Sequence, residues 1–541
     1  MEAWQFFETL CEALAHPTFY PHPVSHLERR DTHISAVFLT GTWVYKLKKP
    51  VDFGFLDFRN LEDRRHFCEQ EVRLNQRLSR DVYQEVVKIY ETHDHRFSLE
   101  DKGRIVEYAV KMRQLPEGLS LKELLKNDKI RHAHMKKLGQ TLAAFYERSN
   151  QSPQIDHYGQ RDVIAFNMEE SFRQLERFAG GLLDRERWEF ICQVSRTFLE
   201  SRDNLFQRRV EAGRIRDGHG DLRADHVYFY RGIQIIDCIE FNDRFRYGDV
   251  AADLAFLHMD MEHLGYARWS RGFLAAYVDD ANDPGLYSLL DFYAAYRAVV
   301  RLKVACLRWQ EVGKAQQEGL EDEARRYMDQ AYRYAIEFSR PTLWVFCGLP
   351  ATGKSCLAEE VAKALSISLF QSDRIRKEEQ PDSHEQVVPF GQGLYRPQMR
   401  HRVYARLLAL AQETLKTGHS VILDGTYSRR KWRDEARQLA SDLDTNLVFV
   451  ECLCKEETIR SRLKQRERES SLSDARLEHF TQMLADFEPM TELSEDIHLT
   501  IHTDQPLREA SVSVLSEGYA RKCDQVKSLL ASSASQSPSG R

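Results

Sequence analysis

The sequence predicts a multidomain chain in two fold classes: an α+β, two-lobed N-terminal half and an α/β C-terminal half whose parallel sheet is flanked by helices. Three observations carry this. The 541 residues exceed what one domain usually holds. The hydrophobic share of 42% is enough for more than one sizeable core. The two halves also differ in rhythm. The first opens with clustered strand-like segments and then turns mostly helical, whereas the second alternates short apolar strands with helical stretches throughout.

In chain order, AVFLTGTWVYKLKK (36–49), EVVKIYE (85–91) and RIVEYAVKM (104–112) read as strands of a small sheet. A larger helical region follows, interrupted by one hairpin, VYFY-RG-IQIIDCIEF, at 227–241. Residues 309–340 are polar, charged and helix-prone, and Pro341 closes them, so a domain boundary is expected near 325–341. Apolar runs at 343–347, 420–424, 446–452 and 498–502 then predict the parallel sheet. The expected domains are 1–325 and 341–520, with 521–541 a disordered polar tail ending in ASSASQSPSGR.

A net charge of −6 argues against whole-chain attraction to nucleic acid, though not against a local basic groove. The ten cysteines are scattered, and Cys452 and Cys454 are the only close pair, which suits reduced thiols in a cytoplasmic protein. Glu2 and Glu8 stand where a secretory leader would be basic, and no run of about 18 apolar residues occurs. The expectation is a soluble cytoplasmic chain with no membrane partner.

Residues 348–355 read GLPATGKS, between the strand LWVFC and the helix SCLAEEVAKAL. This is a P-loop in its required context. Backbone N–H groups of Gly348, Leu349, Pro350, Ala351, Thr352 and Gly353 (Pro350 supplies shape rather than a donor) would curl around the phosphates of ATP. Lys354 would reach the β/γ-phosphates and Ser355 would ligate Mg²⁺. Asp373, in QSDRIR after the apolar run ISLF, is the candidate base for an acceptor hydroxyl, with Arg374 or Arg376 near the substrate; a helix N-cap is the competing role. Asp424 ends the strand VILD and is the second metal candidate. Arg429, Arg430 and Arg433 follow and could face substrate phosphate or solvent. Arg462 and Arg466 share a face of the basic helix EETIRSRLKQRER and are candidate lid cations. On these motifs, residues 341–505 resemble the small P-loop kinases of the polynucleotide-kinase, zeta-toxin and gluconate-kinase type. That resemblance implies phosphorylation of a small hydroxyl-bearing or 5′-OH substrate.

Residues 219–227 read HGDLRADHV. A phosphotransferase loop H-x-D-x-x-x-x-N supplies a proton acceptor and, five residues later, a metal-binding Asn. Asp221 holds the first place, and His226 replaces the Asn. The loop and the hairpin that follows resemble the protein-kinase-like fold, which implies a metal-binding carboxylate on the second strand, with Asp237 favoured and Glu240 the alternative. RYGDVAADLAFL (246–257) resembles a G-D-x-x-x-D-[LI]-A segment of the aminoglycoside phosphotransferase family, which implies that Asp249 and Asp253 support the loop. Upstream, Lys46, with Lys48 two residues on, is the candidate phosphate anchor, and Glu71 its partner. Residues 30–310 resemble the aminoglycoside phosphotransferase family, a branch of the protein-kinase-like fold. The whole chain resembles bacterial two-domain proteins that fuse this domain to a P-loop kinase. The resemblance implies that backbone near Val110–Met112 meets adenine; no clean glycine-rich loop covers the phosphates, and THISAVFLTGTW (32–43) is the nearest candidate for one. An imidazole suits Mg²⁺ less well than an amide oxygen, so altered metal use is expected at His226. His258, Asp260, Glu262 and His263 read as exposed helix residues.

Three functions stand open. One is an enzyme with two ATP-dependent sites, each phosphorylating a hydroxyl of a small molecule. Another is one P-loop kinase regulated by an N-terminal pseudokinase. The third is a nucleic-acid 5′-OH kinase.

Overall fold

The computed structural model describes residues 2–54, 56–379, 396–466 and 477–536. The chain divides into two compact units. Unit 1 comprises Met1–Ile164 with Phe206–Phe273, and unit 2 comprises Ala165–Leu205 with Leu274–Arg541.

Unit 1 is built on an antiparallel sheet of six strands: β1 (Glu28–Asp31), β2 (Ser35–Leu39), β3 (Trp43–Lys48), β4 (Tyr83–Glu91), β5 (Phe97–Ser98) and β6 (Arg104–Arg113), in the order β1-β2-β3-β6-β4-β5. The period-2 geometry of β3 sorts its side chains. Tyr45 and Leu47 pack with Phe7 and Leu10 of the N-terminal helix Glu2–Leu14. Val44 packs on the other face with Cys68, Val110 and Met112. Lys46 and Lys48 share that second face, toward the helix Leu61–Ser79. That helix starts where the Asn60 side chain accepts from the Glu62 amide at 3.0 Å.

Two short ladders carry the loops that matter. β7 (Ile215–Asp217) pairs with β10 (Tyr247–Asp249), and β8 (Val227–Tyr228) pairs with β9 (Gln234–Ile235). The helix Val250–His263 begins directly after β10, with Asp249 as its N-cap. This helix is buried along most of its length, His258 and Asp260 included. The expectation of exposed residues at 258–263 is corrected: His258 and Asp260 are buried, the Glu262 side chain is 6% exposed and His263 is half-buried.

Unit 2 holds a five-stranded, wholly parallel sheet: β11 (Thr342–Cys347), β12 (Ser368–Gln371), β13 (Val421–Asp424), β14 (Asn446–Leu453) and β15 (His498–His502), ordered β12-β13-β11-β14-β15. β11 is central and buried at every position, as a parallel strand covered on both faces requires. The expected boundary at 325–341 falls mostly within one helix, Lys314–Ser339, which packs along the helix Leu290–Glu311. β11 starts one residue past Pro341.

Over 521–536 the expected tail is instead the second half of the helix Leu507–Gln536, and 537–541 lie outside the described residues. Cys523 and Val526 are buried, and the Gln525 amide both donates to the Leu447 carbonyl at 2.8 Å and accepts from the Leu447 amide at 3.0 Å. The polar composition there reflects a solvent-facing side, not absence of structure. All ten cysteines are free thiols. No described helix is long and apolar enough to cross a membrane.

Candidate active sites

In unit 1 the two lysines of β3 behave differently. Glu71 offers one carboxylate oxygen to Lys46 and the other to Lys48, each at 2.8 Å. Lys48 is also paired with Glu240, and its ammonium is almost wholly enclosed. Lys46 reaches the surface of the site and pairs with Asp237 at 2.7 Å. Lys46 can therefore meet a phosphate, whereas Lys48 holds the carboxylates in place. The same geometry separates Asp237 from Glu240. Burial pushes the Glu240 carboxyl up, against the pull of Lys48. The Lys46 ammonium holds Asp237 far below the usual range, and its side chain is 44% exposed.

Asp237 lies at φ +65°, a left-handed conformation that Asp tolerates better than most non-glycine residues. It sits just past β9, and its N–H faces the Tyr83 hydroxyl at 3.3 Å.

The loop 218–226 is hung from the helix Val250–His263. The Asp253 carboxylate accepts from the amides of His219 at 2.6 Å and Gly220 at 2.9 Å. Two turns on, Asp260 accepts from the Ala224 amide at 2.8 Å. Asp249 grips Arg209 through both oxygens. Gly220, at φ +86°, admits no side chain, since a Cβ would lie 2.8 Å from the Phe245 carbonyl. Burial pushes the His219 imidazole down to about 4, so it is neutral, with Nε2 3.0 Å from the Ile236 carbonyl.

Asp221 points into the site with Arg223 on both its oxygens, at 3.0 and 3.1 Å. Burial works to raise the Asp221 carboxyl, and Arg223 outweighs it, leaving the group below its usual range. His226 lies between the two aspartates. Its Nδ1 is 2.8 Å from the Asp221 carbonyl, and its Nε2 is 3.6 Å from Asp237 Oδ2 and 2.9 Å from Arg223 Nη2.

One expectation for this half is corrected. Val110–Met112 is an interior stretch of β6, laddered to β3 on one side and β4 on the other, so its backbone is already engaged. The strand's pairing ends with the Arg113 and Gln114 amides, and Leu115 and Pro116 come next. The stretch 32–43 is the short β1–β2 turn, then β2, then the β2–β3 turn, and its one glycine, Gly41, lies in the second turn. It therefore forms no glycine-rich cover.

In unit 2 the loop after β11 curls as an anion nest. Gly348, Ala351 and Gly353 all have positive φ, and a Cβ on Gly348 would lie 2.6 Å from the Cys452 carbonyl. The Thr352 hydroxyl donates to the Leu349 carbonyl at 2.8 Å, closing the loop. The helix Lys354–Leu365 begins directly after it, so Lys354 and Ser355 open its first turn. At the end of β13, Asp424 is buried. Burial raises its carboxyl, against Lys354 and Ser355 beside it. Its Oδ1 has no hydrogen-bond donor among the described residues. A buried carboxylate oxygen without a donor, next to a serine hydroxyl, fits a divalent cation.

A cavity of about 60 Å³ has Lys354, Asp373, Arg376, Arg400, Tyr404 and Asp486 in its wall. Asp373 lies in the first turn of the helix Ser372–Glu379 and is paired with Arg376. Arg374 is exposed, so of the two arginines the structure brings Arg376 to Asp373. Arg429 pairs with Asp486 and Glu488, and Arg400 joins Asp486 at 2.9 Å. Arg430 is exposed on Asp434, and Arg433 is buried on Glu492 at 2.5 Å, a packing role. Arg462 reaches the P-loop, donating to the Ala351 carbonyl at 3.2 Å and the Thr503 carbonyl at 3.1 Å. The Arg466 side chain lies outside the described residues.

Arg223 and Asp260 were not assigned from the sequence, yet both carried a signal. Arg223 is inside the quoted loop, and Asp260 follows Asp253 by seven residues, two helical turns on one face. Arg400 and Asp486 are 86 positions apart and carried none.

A family model described as "Phosphotransferase enzyme family" matches residues 41–293, and one described as "AAA domain" matches 343–490. Uncharacterized proteins of Mycobacterium tuberculosis and Mycobacterium bovis are 32% identical over 451 residues, 82% of this chain and 88% of theirs. A choline/ethanolamine kinase family protein from Mesorhizobium loti is 12% identical, with 61% of this chain and 98% of that one covered and a TM-score of 0.35. A gluconokinase from Sinorhizobium meliloti is 22% identical, with 35% and 96% covered and a TM-score of 0.26. Kinases of these families use ATP with a divalent cation. The chain belongs to one family with the mycobacterial proteins, and it joins an aminoglycoside-phosphotransferase-type kinase domain to a small P-loop kinase domain.

Proposed function

We propose that the chain is a bifunctional ATP-dependent kinase, with one site in each unit passing the γ-phosphoryl group of ATP to a hydroxyl of a small molecule. The observation that carries this reading is that each unit assembles the same three parts from its own residues. These are a cation for phosphate (Lys46; Lys354), a carboxylate suited to a metal ion (Asp237; Asp424) and a carboxylate for the acceptor proton (Asp221; Asp373).

In unit 2, Asp373 takes the proton of the acceptor hydroxyl, and that oxygen attacks the γ-phosphorus. The bond from the γ-phosphorus to the β–γ bridging oxygen breaks, and ADP leaves. Lys354 and the loop amides hold the phosphates, and Arg376 keeps Asp373 oriented. Ser355 and Asp424 would hold the divalent cation, Mg²⁺ in the simplest case, whose charge neutralises the β- and γ-phosphate oxygens when bound. In unit 1, Asp221 takes the acceptor proton, Lys46 holds phosphate oxygens, and Glu71 fixes Lys46. Asp237 and His226 would hold the cation there.

A second reading is favoured by one observation. Arg223 occupies both oxygens of Asp221, as it would in a unit that binds ligand without turnover. Unit 1 would then regulate a single P-loop kinase. A radiolabelled ATP screen of hydroxylated metabolites, sugars and oligonucleotides with the full chain, the Lys354→Ala chain and the Asp221→Asn chain separates these cases. Two acceptors, each lost with one substitution, support the bifunctional reading. Transfer that ignores Asp221→Asn for every acceptor refutes it, and an oligonucleotide as the sole acceptor replaces the small-molecule assignment.

A further inference from the structure

We infer that His226 and Asp237 form a mixed nitrogen–oxygen site that takes a first-row transition-metal divalent cation in preference to Mg²⁺. This rests on the kinase reading of unit 1 and adds to it the class of ion.

Two contacts fix the state of the ring. A carbonyl oxygen can only accept, so Nδ1, 2.8 Å from the Asp221 carbonyl, carries the hydrogen. A guanidinium can only donate, so Nε2, 2.9 Å from Arg223 Nη2, carries the lone pair. Both contacts call for the same neutral tautomer. The Nδ1 bond is also the second-shell contact that metal-bound histidines ordinarily make, orienting the ring and raising its basicity. His226 is buried, and its Nε2 lies 3.6 Å from Asp237 Oδ2. One cation bound at about 2.1 Å to each atom can bridge that span.

Asp237 is prepared for the same ion. Its Oδ1 is on Lys46, its Oδ2 faces the imidazole, and its left-handed backbone holds it there. Positive charge already occupies the gap, because Arg223 touches both Asp221 oxygens and His226 Nε2. A metal ion entering at Nε2 displaces the Nη2 contact, while Arg223 Nε stays on Asp221 Oδ1 at 3.0 Å.

The choice of ion follows from the donors. Mg²⁺ calls for hard oxygen ligands in near-octahedral array, whereas imidazole nitrogen suits the first-row transition ions. The Asn of the usual loop pattern would offer an amide oxygen in this place. His226 offers nitrogen.

Mn²⁺ is the probe, since it accepts both donor types and is paramagnetic. The full chain carrying Asp424→Asn, which removes the unit 2 site, is titrated with Mn²⁺ in the presence of a non-hydrolysable ATP analogue. Bound ion is read by electron paramagnetic resonance, and nitrogen coupling by electron spin echo modulation. The expected result is Mn²⁺ bound with ¹⁴N modulation that changes when histidine is labelled with ¹⁵N. Adding His226→Asn should abolish the modulation and shift the Mn²⁺/Mg²⁺ competition ratio toward Mg²⁺ by on the order of 10-fold. Bound Mn²⁺ without nitrogen modulation, no bound Mn²⁺ at all, or an unchanged ratio in a folded His226→Asn chain would each overturn the inference. The labelling experiment needs no His226 variant, so it decides the matter even where that variant does not fold. Nitrogen-coupled Mn²⁺ without Asp221-dependent turnover supports the ion site and sinks only the kinase reading. Turnover that is as good with Mg²⁺, without nitrogen coupling, does the reverse.

Discussion

Arg223 grips Asp221 by both carboxylate oxygens, two residues apart in one loop. The pair sets the protonation state of the acceptor-side carboxylate, which burial alone would raise. Arg223→Ala should therefore move the Asp221 carboxyl upward. Turnover in unit 1 requires the ionised form, so the acidic limb of its pH–rate profile should shift to higher pH, with Arg223→Lys intermediate. A limb that stays where it was would exclude Arg223 as the controlling charge.

Lys354→Ala removes the ammonium from the phosphate nest of unit 2 and leaves unit 1 untouched. Losing one charge-stabilising donor costs roughly 10²–10³ in turnover. The acceptor served by unit 2 should lose that much, and the acceptor served by unit 1 should keep its rate within a factor of about two. Parallel steady-state assays of the two acceptors measure this. Equal losses in both would show that the sites are not independent.

Asp253→Ala orphans two amides at once, those of His219 and Gly220. Each buried donor left unsatisfied costs about 1–3 kcal/mol. The loop bearing Asp221 should loosen, and the melting transition of unit 1 should fall by several degrees. Amide hydrogen exchange read on the 215–226 peptide should rise by at least 10-fold. Unchanged protection there would mean that the loop is held by other contacts.

How much of this could be read in the sequence depended on how local each relationship is. The P-loop was legible because strand, nest and helix lie within about twenty consecutive residues, each with its own chemistry: an apolar run, glycines, then Lys354 and Ser355. HGDLRADHV was legible for the same reason. Lys46 and Lys48 could not be told apart, since strand periodicity gives both the same face. Only the Glu71 and Glu240 carboxylates, 23 and 192 positions from Lys48, decide which one is enclosed. The Arg376–Asp373 pair was half legible: three residues on a helix share a face, but so do many exposed pairs. The Asp486 carboxylate that gathers Arg400 and Arg429 depended on chain folding over more than fifty residues. The helix over 521–536 was misread because small polar residues on its outer side outnumber the buried Cys523 and Val526.

His219 gives the last prediction. Its ring is 1% exposed and pushed down to about 4 by burial, with Asp253 opposing the effect. An unfolded histidine titrates near 6.5. Between those two values the unfolded chain binds a proton that the native loop refuses, so stability falls as pH falls. The contribution is fully present above about pH 6.5 and gone below about pH 4. At one pKa unit per 1.36 kcal/mol, its full size is on the order of 3 kcal/mol. Glu71, held low by its two lysines, adds a loss of the same sign as the pH falls further. His219→Asn removes only the histidine part. Urea denaturation of both proteins at a series of pH values from 7 to 4.5 should show a steeper loss in the parent chain, with the two curves diverging below about pH 6.5. Curves that run parallel across that window would mean that the native loop takes up the proton as easily as the unfolded chain does.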